Sequence, residues 1–361
     1  MYSKIGDKMK KNIINYITKT SSGMAMGLFA TLIIGSIINQ LCSLGSGFQI
    51  GIDISKTLIG LMGPGIGLGV ALSIKEEKNT LDLVSCMALG GIASAINLVA
   101  SNDPTPTFTV NGGSKNPLLI YLVIIFTIII VKKLLIKKTP IDILLIPITY
   151  ILIGAVLGFM LIYPCYYLIY FIQQIISKSM PLAPITMSII ISVIMGMVLT
   201  MPISSVAVCV SISIGDTPLA AGAALIGCTC QMIGFATQSF RAKNNIGKSI
   251  SVGIGTSMLY WPNIIKKPTI WLPTIVSSAI LGPIGVYILN TYGTSNGAGM
   301  GSCGLVGQLS CLEVMGYSNP NAYISIFIVQ ILGSIIFTLM FDYIFKDILH
   351  LYTNDDLKLN I

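Results

Sequence analysis

The feature that most constrains this chain is a series of apolar runs near residues 22–42, 56–74, 80–100, 117–133, 140–163, 182–201, 217–239, 269–290 and 321–345. Each approaches the roughly 20 residues that an α-helix needs to cross a hydrocarbon core. Only 9% of the 361 residues are charged and 54% are hydrophobic, against roughly 25% charged in a soluble domain. Packing in water is therefore excluded as the organising principle. The chain reads as an all-α, polytopic integral membrane protein. Barrel strands alternate apolar and polar residues, whereas these runs are continuous, which excludes a β-barrel.

The net charge of +8 does not indicate nucleic acid, because the cations fall in short clusters between apolar runs. That distribution is the positive-inside pattern. Lys4, Lys8, Lys10, Lys11 and Lys19 put the N-terminus in the cytoplasm. Lys75 and Lys78, then Lys132, Lys133, Lys137 and Lys138, then Arg241, Lys243 and Lys248, mark later cytoplasmic loops, with Lys266 and Lys267 a further candidate. Loops 43–55 and 101–116 fall outside and carry only Lys115. The polar loop 101–116 is either simply solvated or a cover for a cavity mouth. Ser21 to Leu41 lacks a cleavage signature and is long enough to span, so it reads as a retained first helix.

Alternation fails after residue 201. The sixth run ends inside, yet Arg241 is also inside, so 202–239 enters and returns or hides one more crossing. Its sequence "MPISSVAVCVSISIGDTPLAAGAALIGCTCQMIG" (201–234) is rich in Pro, Gly, Ser and Thr. Non-helical backbone is tolerated at membrane depth only where protein buries it or water reaches it. Two more stretches share the character: "ISVGIGTSMLYWPN" at 250–263 and "TSNGAGMGSCGLVGQLSC" at 294–311. Gly costs about 1 kcal/mol in a helix interior relative to Ala, so five glycines between Gly297 and Gly307 need another purpose. Either helices pack closely there or backbone groups are exposed to a ligand. Gly63-Pro-Gly-Ile-Gly-Leu-Gly69 lies in an apolar run with no strand before it and no Lys-Ser/Thr after it, so it is a close-packed or kinked crossing rather than a phosphate loop.

Polar residues within apolar runs are the candidate ligands. Asp216, in Gly-Asp-Thr-Pro, is a helix cap, a ligand contact, or both. Glu313 follows the glycine-rich stretch, at its rim. Ser204, Ser205 and Thr217 offer hydroxyls, Gln231, Gln308 and Asn263 offer amides, and Trp261 offers an apolar face. The eight cysteines lie mostly in apolar segments and read as core residues, with Cys228-Thr-Cys230 lacking any nearby His or second pair. No metal or cofactor is expected. Walker lysine, arginine ladder and potassium-filter signatures are absent. Asp355, Asp356 and Lys358 read as a solvated end.

The blocks "MPISSVAVCVSISIGDTPLAAGAALIGCTCQMIGFATQSF", "GKSISVGIGTSMLYWPNIIKKPTIWLPTIVSSAILGPIGVYIL" and "GAGMGSCGLVGQL" resemble the phosphotransferase-system enzyme IIC-like family, some of whose members are described as toxin regulators. The resemblance covers most of the chain and is strongest over 200–310. It implies a homodimer in a bacterial cytoplasmic membrane, with about 8–10 transmembrane helices per protomer and re-entrant hairpins around a sugar or sugar-like solute. On that pattern residues 20–180 pack and dimerise, 181–346 hold the re-entrant segments and cavity, and 347–361 form a cytoplasmic tail. Here the chain departs from the coupled pattern. It has no IIA or IIB phosphotransfer domain, its only His is His350, and Glu313 is the only Glu in its C-terminal half. Either separate IIA and IIB proteins supply phosphate, making the chain a phosphotransferase component, or it works without phosphorylation. Translocation of a small polar solute is the leading reading; a membrane sensor that binds the solute without net transport is the alternative.

Overall fold

The computed structural model describes residues 2–43, 48–74, 79–99, 107–109, 116–135 and 139–359. Lys75, Lys78, Lys115, Lys137, Lys138 and most of the 101–116 loop lie outside them. The described residues are mostly helical, joined by turns and short extended connections, with one short hairpin in which Asn97–Val99 pairs antiparallel with Thr107–Thr109. It divides into two compact units, Met1–Leu168 and Ile169–Ile361.

In the first unit α1 (Tyr2–Leu28) runs through a π-helical turn at Phe29–Ile33 into α2 (Ile34–Ser43). Then follow α3 (Gln49–Gly60), α4 (Met62–Ser73), α5 (Thr80–Ala95), α6 (Pro117–Leu134) and α7 (Asp142–Ser179), which carries the chain into the second unit. The glycine run in α4 is both kinked and close-packed. Helices α3 and α4 meet at Leu61 with a 48° bend. A Cβ at Gly69 would press on α1 at Gly23, and one at Gly65 on Gly27 of α1 and on Thr31 in the π-helical turn, while one at Gly63 or Gly67 would press on α5, at Gly90 and Cys86. Two i, i+4 glycine pairs thus give α4 two faces on which backbones touch, which is how helices gain packing where lipid gives no hydrophobic drive. Tyr121 of α6 ties the bundle: its hydroxyl bonds Thr20 and Ser21 at 2.9 Å each.

The second unit is built around α10 (Pro218–Arg241). Against it pack α8 (Pro184–Thr200), α13 (Leu272–Pro283), α14 (Ser295–Met300) and α17 (Ser334–Asp342). Between these run the short pieces α9 (Ser205–Ser211), α11 (Ile246–Ile250), α12 (Trp261–Lys266), α15 (Val306–Met315) and α16 (Pro320–Ile324). Ala220, Ala221, Ala223, Ala224 and Gly227 let neighbours approach α10; a Cβ at Gly227 would overlap the Ser192 carbonyl of α8.

Among the described residues, six helical segments are long and apolar enough to cross a membrane: Asn12–Asn39, Pro117–Leu134, Asp142–Ser179, Pro218–Arg241, Pro268–Ile288 and Pro320–Ile348. The bent pair α3–α4 makes a seventh, and Thr80–Ala95 and Pro184–Thr200 are shorter apolar helices. Every expected span meets a helix, and the largest difference is in α7. The run expected to end at 163 continues through Pro164 for 38 residues in all. A mid-helix proline removes one hydrogen bond, but the apolar sequence beyond it has no better alternative in lipid than to stay helical.

Candidate functional site

Helices break within each of the three stretches singled out by their glycines and hydroxyls, in the first of them ahead of the continuous α10. A broken span has many helix ends, and each end leaves backbone N–H groups without partners. Hydroxyl and amide side chains meet that need. Ser204 caps α9 through Ala207 N at 3.3 Å, Asn245 caps α11 through Gly247 N at 3.0 Å, and Thr294 caps α14 through Gly297 N at 3.2 Å. Thr256, in extended backbone between a π-helical turn at Ser251–Gly255 and a 3-10 turn at Ser257–Tyr260, accepts from Met258 N at 3.1 Å.

The three stretches also converge. Ser205 Oγ donates to Gly299 O at 2.6 Å, and Gly215 N donates to Ser295 Oγ at 3.0 Å, joining the first to the third. Ser302 Oγ donates to Gly253 O at 2.6 Å, joining the third to the second. Thr200 and Ser257 share a hydrogen bond of 2.9 Å, joining α8, at the start of the first stretch, to the second. The third stretch reverses through Gly301 (φ +55°), Gly304 (φ +53°) and Leu305 (φ +60°). A leucine in this left-handed region costs roughly 1–2 kcal/mol, and such strain clusters at ligand clamps and switches.

The residues singled out from sequence fall into distinct settings. Asp216 is exposed on a 3-10 turn (Ile214–Asp216) and is not the cap of α10; Thr217 holds that position, half-buried, with Pro218 opening the helix. Gln231 is fully buried: its Oε1 accepts from Trp271 Nε1 at 3.0 Å and Thr274 Oγ1 at 2.8 Å, and its Nε2 has no partner among the described residues. Gln308 donates to Thr229 Oγ1 at 3.2 Å and Gln330 Oε1 at 3.0 Å, and its own Oε1 has no partner among the described residues. Thr229 and Gln231 are two residues apart on α10, hence about 200° apart around it, so the two amides work on opposite sides of this helix. Half-buried Trp261 stands edge-on to Trp271, ring centres 6.3 Å apart. Asn263 donates to the carbonyls of Asp356 and Lys358. Glu313 is exposed on α15.

A second polar cluster escaped the sequence reading. Asp342 is fully buried and accepts from Gln238 Nε2 at 3.0 Å and Tyr352 OH at 2.6 Å, while pairing with Arg241 and, at 3.2 Å, with Lys346. Arg241 also pairs with Asp347 and lies over the Tyr343 ring. Burial, then the adjacent Asp342 charge, pushes the Tyr352 hydroxyl above its ordinary pKa, so it stays protonated and donates. The signal was in the sequence: an Asp four residues before a Lys at the end of an apolar run, with an Arg closing another run.

A multi-pass helical protein whose interrupted backbone is sheltered by its own hydroxyls and amides has the build of a membrane permease. The chain belongs to the family described as phosphotransferase system, EIIC, which it matches over residues 18–359. No curated protein and no solved structure matches it. Membership makes it a membrane permease component of sugar transport.

Proposed function

We propose that the chain translocates a small, uncharged, hydroxyl-rich solute, a sugar or close analogue, through the place where the three broken segments meet. The observation that carries this reading is their convergence through the Ser205–Gly299, Gly215–Ser295, Ser302–Gly253 and Thr200–Ser257 hydrogen bonds. Irregular backbone at membrane depth is tolerated only where protein buries it or it lines a water-filled cavity, and in transporters such breaks form the substrate site. Asp216 and Thr217, whose side chains neither cap α10 nor join this lattice, meet the solute hydroxyls. Gln308 Oε1, without a partner among the described residues, is the acceptor that the third segment brings to it, and Gln231, on the opposite side of α10, braces that helix through Trp271 and Thr274. Ser204 and Ser205 serve as scaffold, Trp261 as an apolar wall, and Asn263 as a tether. Glu313, exposed on α15, lies at the rim. The positive clusters support a cytoplasmic N-terminus, and the family supports a homodimer in a bacterial membrane.

The test is a thermal-shift screen of sugars, nucleosides, vitamins and amino acids on purified protein, followed by uptake into proteoliposomes. A stabilising sugar that is also taken up supports the proposal. Binding without flux makes the chain a sensor. Phosphorylated product on addition of candidate IIA and IIB proteins with phosphoenolpyruvate makes it a coupled permease. Stabilisation only by solutes outside the hydroxyl-rich class refutes the reading.

A further inference from the structure

Asp355, Asp356 and Lys358 read in the sequence as a solvated end, and Asp355 and Lys358 are exposed, yet Tyr352, Leu357 and Leu359 of the same segment are buried. The exposed ion pair of Asp355 and Lys358 accounts for the polar appearance. The segment has almost no structure of its own, only a 3-10 turn at Asp355–Leu357. It is held instead by side chains from other elements, and two groups of them take its two ends. Asn263 Nδ2 donates to Asp356 O at 2.7 Å and Lys358 O at 2.9 Å. Asn244 donates to Leu357 O at 2.9 Å and accepts from Leu359 N at 3.1 Å. Tyr260 OH reaches Leu357 O at 2.9 Å, and Lys248 Nζ reaches Leu359 O at 2.8 Å. All four side chains belong to the stretch 244–263, which contains the second broken segment. At the other end Tyr352 donates to Asp342, and Lys346 donates to Asn354 Oδ1 at 3.0 Å. These are residues of the buried ion-pair cluster at the end of the last apolar helix.

We propose that residues 350–359 are a strap that holds the second broken segment against the end of the last helix, and that its release frees that segment to move while the rest stays folded. The strap's grip passes directly to the convergence point. Tyr260, which stacks on Phe235 of α10 with ring centres 4.8 Å apart, lies three residues from Ser257, the partner of Thr200. Gly253, the acceptor for Ser302, lies in the same segment. A peptide bound by its carbonyls and three apolar anchors, with Thr353, Asn354 and Asp355 exposed, opens as a unit at low cost relative to a buried helix. The functional meaning of this movement rests on the proposed solute site; the movement itself does not.

Hydrogen–deuterium exchange on the full chain in nanodiscs tests it without any solute. In the unaltered protein the amides of 350–359 and 246–260 should exchange at least tenfold faster than those of α10. Asn263→Ala and Leu357→Asp should each raise exchange in both segments together by at least tenfold, with α1 and α4 unchanged. Asn263→Ala keeps the test open where the buried aspartate prevents folding. Strap exchange that rises while 246–260 stays protected, or a strap no faster than α10, overturns the proposal. If the exchange results hold but no hydroxyl-rich solute binds or is taken up, the strap stands and the solute reading falls.

Discussion

Replacing Asp342 by Asn tests whether the buried ion-pair cluster holds the second unit together. The variant keeps the shape of the side chain and removes its charge. Asp342 is the shared partner of Arg241 and Lys346, and Lys346 is only 7% exposed. Removing one member of a buried pair costs about 3–5 kcal/mol, because the remaining charge is left without compensation. Arg241 is 26% exposed and keeps Asp347, so its share is small and the lower figure applies. About 3 kcal/mol lowers the apparent unfolding midpoint of a unit of this size by about 6–12 °C. The assay is intrinsic-fluorescence melting in detergent at one fixed heating rate, since membrane proteins unfold irreversibly and the midpoint depends on the scan. Adding Lys346→Met to Asp342→Asn removes the stranded cation and should recover at least half of the loss, because apolar replacement of a whole buried pair is often close to neutral. A midpoint within 2 °C (about 1 kcal/mol or less) of the unaltered protein, or a double variant no better than the single, refutes the reasoning.

Gly69→Val should separate α4 from α1, since even a Cβ there would overlap the Gly23 carbonyl; overpacking of this kind costs about 1–3 kcal/mol. Gly60→Ala, with nothing within 4 Å of the added carbon, is the neutral control, both read by melting midpoint. Gln308→Leu should cost about 1–3 kcal/mol by leaving Gln330 Oε1 without its donor, and should depress solute uptake more than stability. Asp216→Asn should change stability by less than about 0.5 kcal/mol, as expected for an exposed side chain, while weakening solute affinity about tenfold in a thermal-shift titration.

What the sequence disclosed and what it hid follow from one physical distinction. Helix breaks were legible because they are written locally: Pro218, Gly301, Gly304 and the capping Ser204, Thr256 and Thr294 each mark a backbone departure at their own position. Spans were legible for the same reason, as continuous apolar length. Partner choice was not, because it is set by contacts across the fold. Trp261 and Trp271 look equivalent in sequence, yet Trp271 supplies the hydrogen bond to Gln231, and Trp261 only packs on it. Asn263 looked like a solute ligand because it is an amide beside an apolar run, but its two donors go to carbonyls more than ninety residues away. Asp342 was absorbed into the end of the last apolar run, where one charge barely lowers the mean hydropathy, and Lys346 lies one residue past it. The strap was the least legible element, since a peptide gripped by its main chain carries no side-chain pattern for that grip. The hydroxyls of the broken segments, by contrast, are mostly consumed by backbone: Ser205, Ser302 and Thr294 each bond a neighbouring carbonyl or N–H. A solute that enters this region competes with those bonds or takes the groups left over. On the proposed reading, recognition begins at the side chains of Asp216 and Thr217, together with Gln308 Oε1, which has no partner among the described residues.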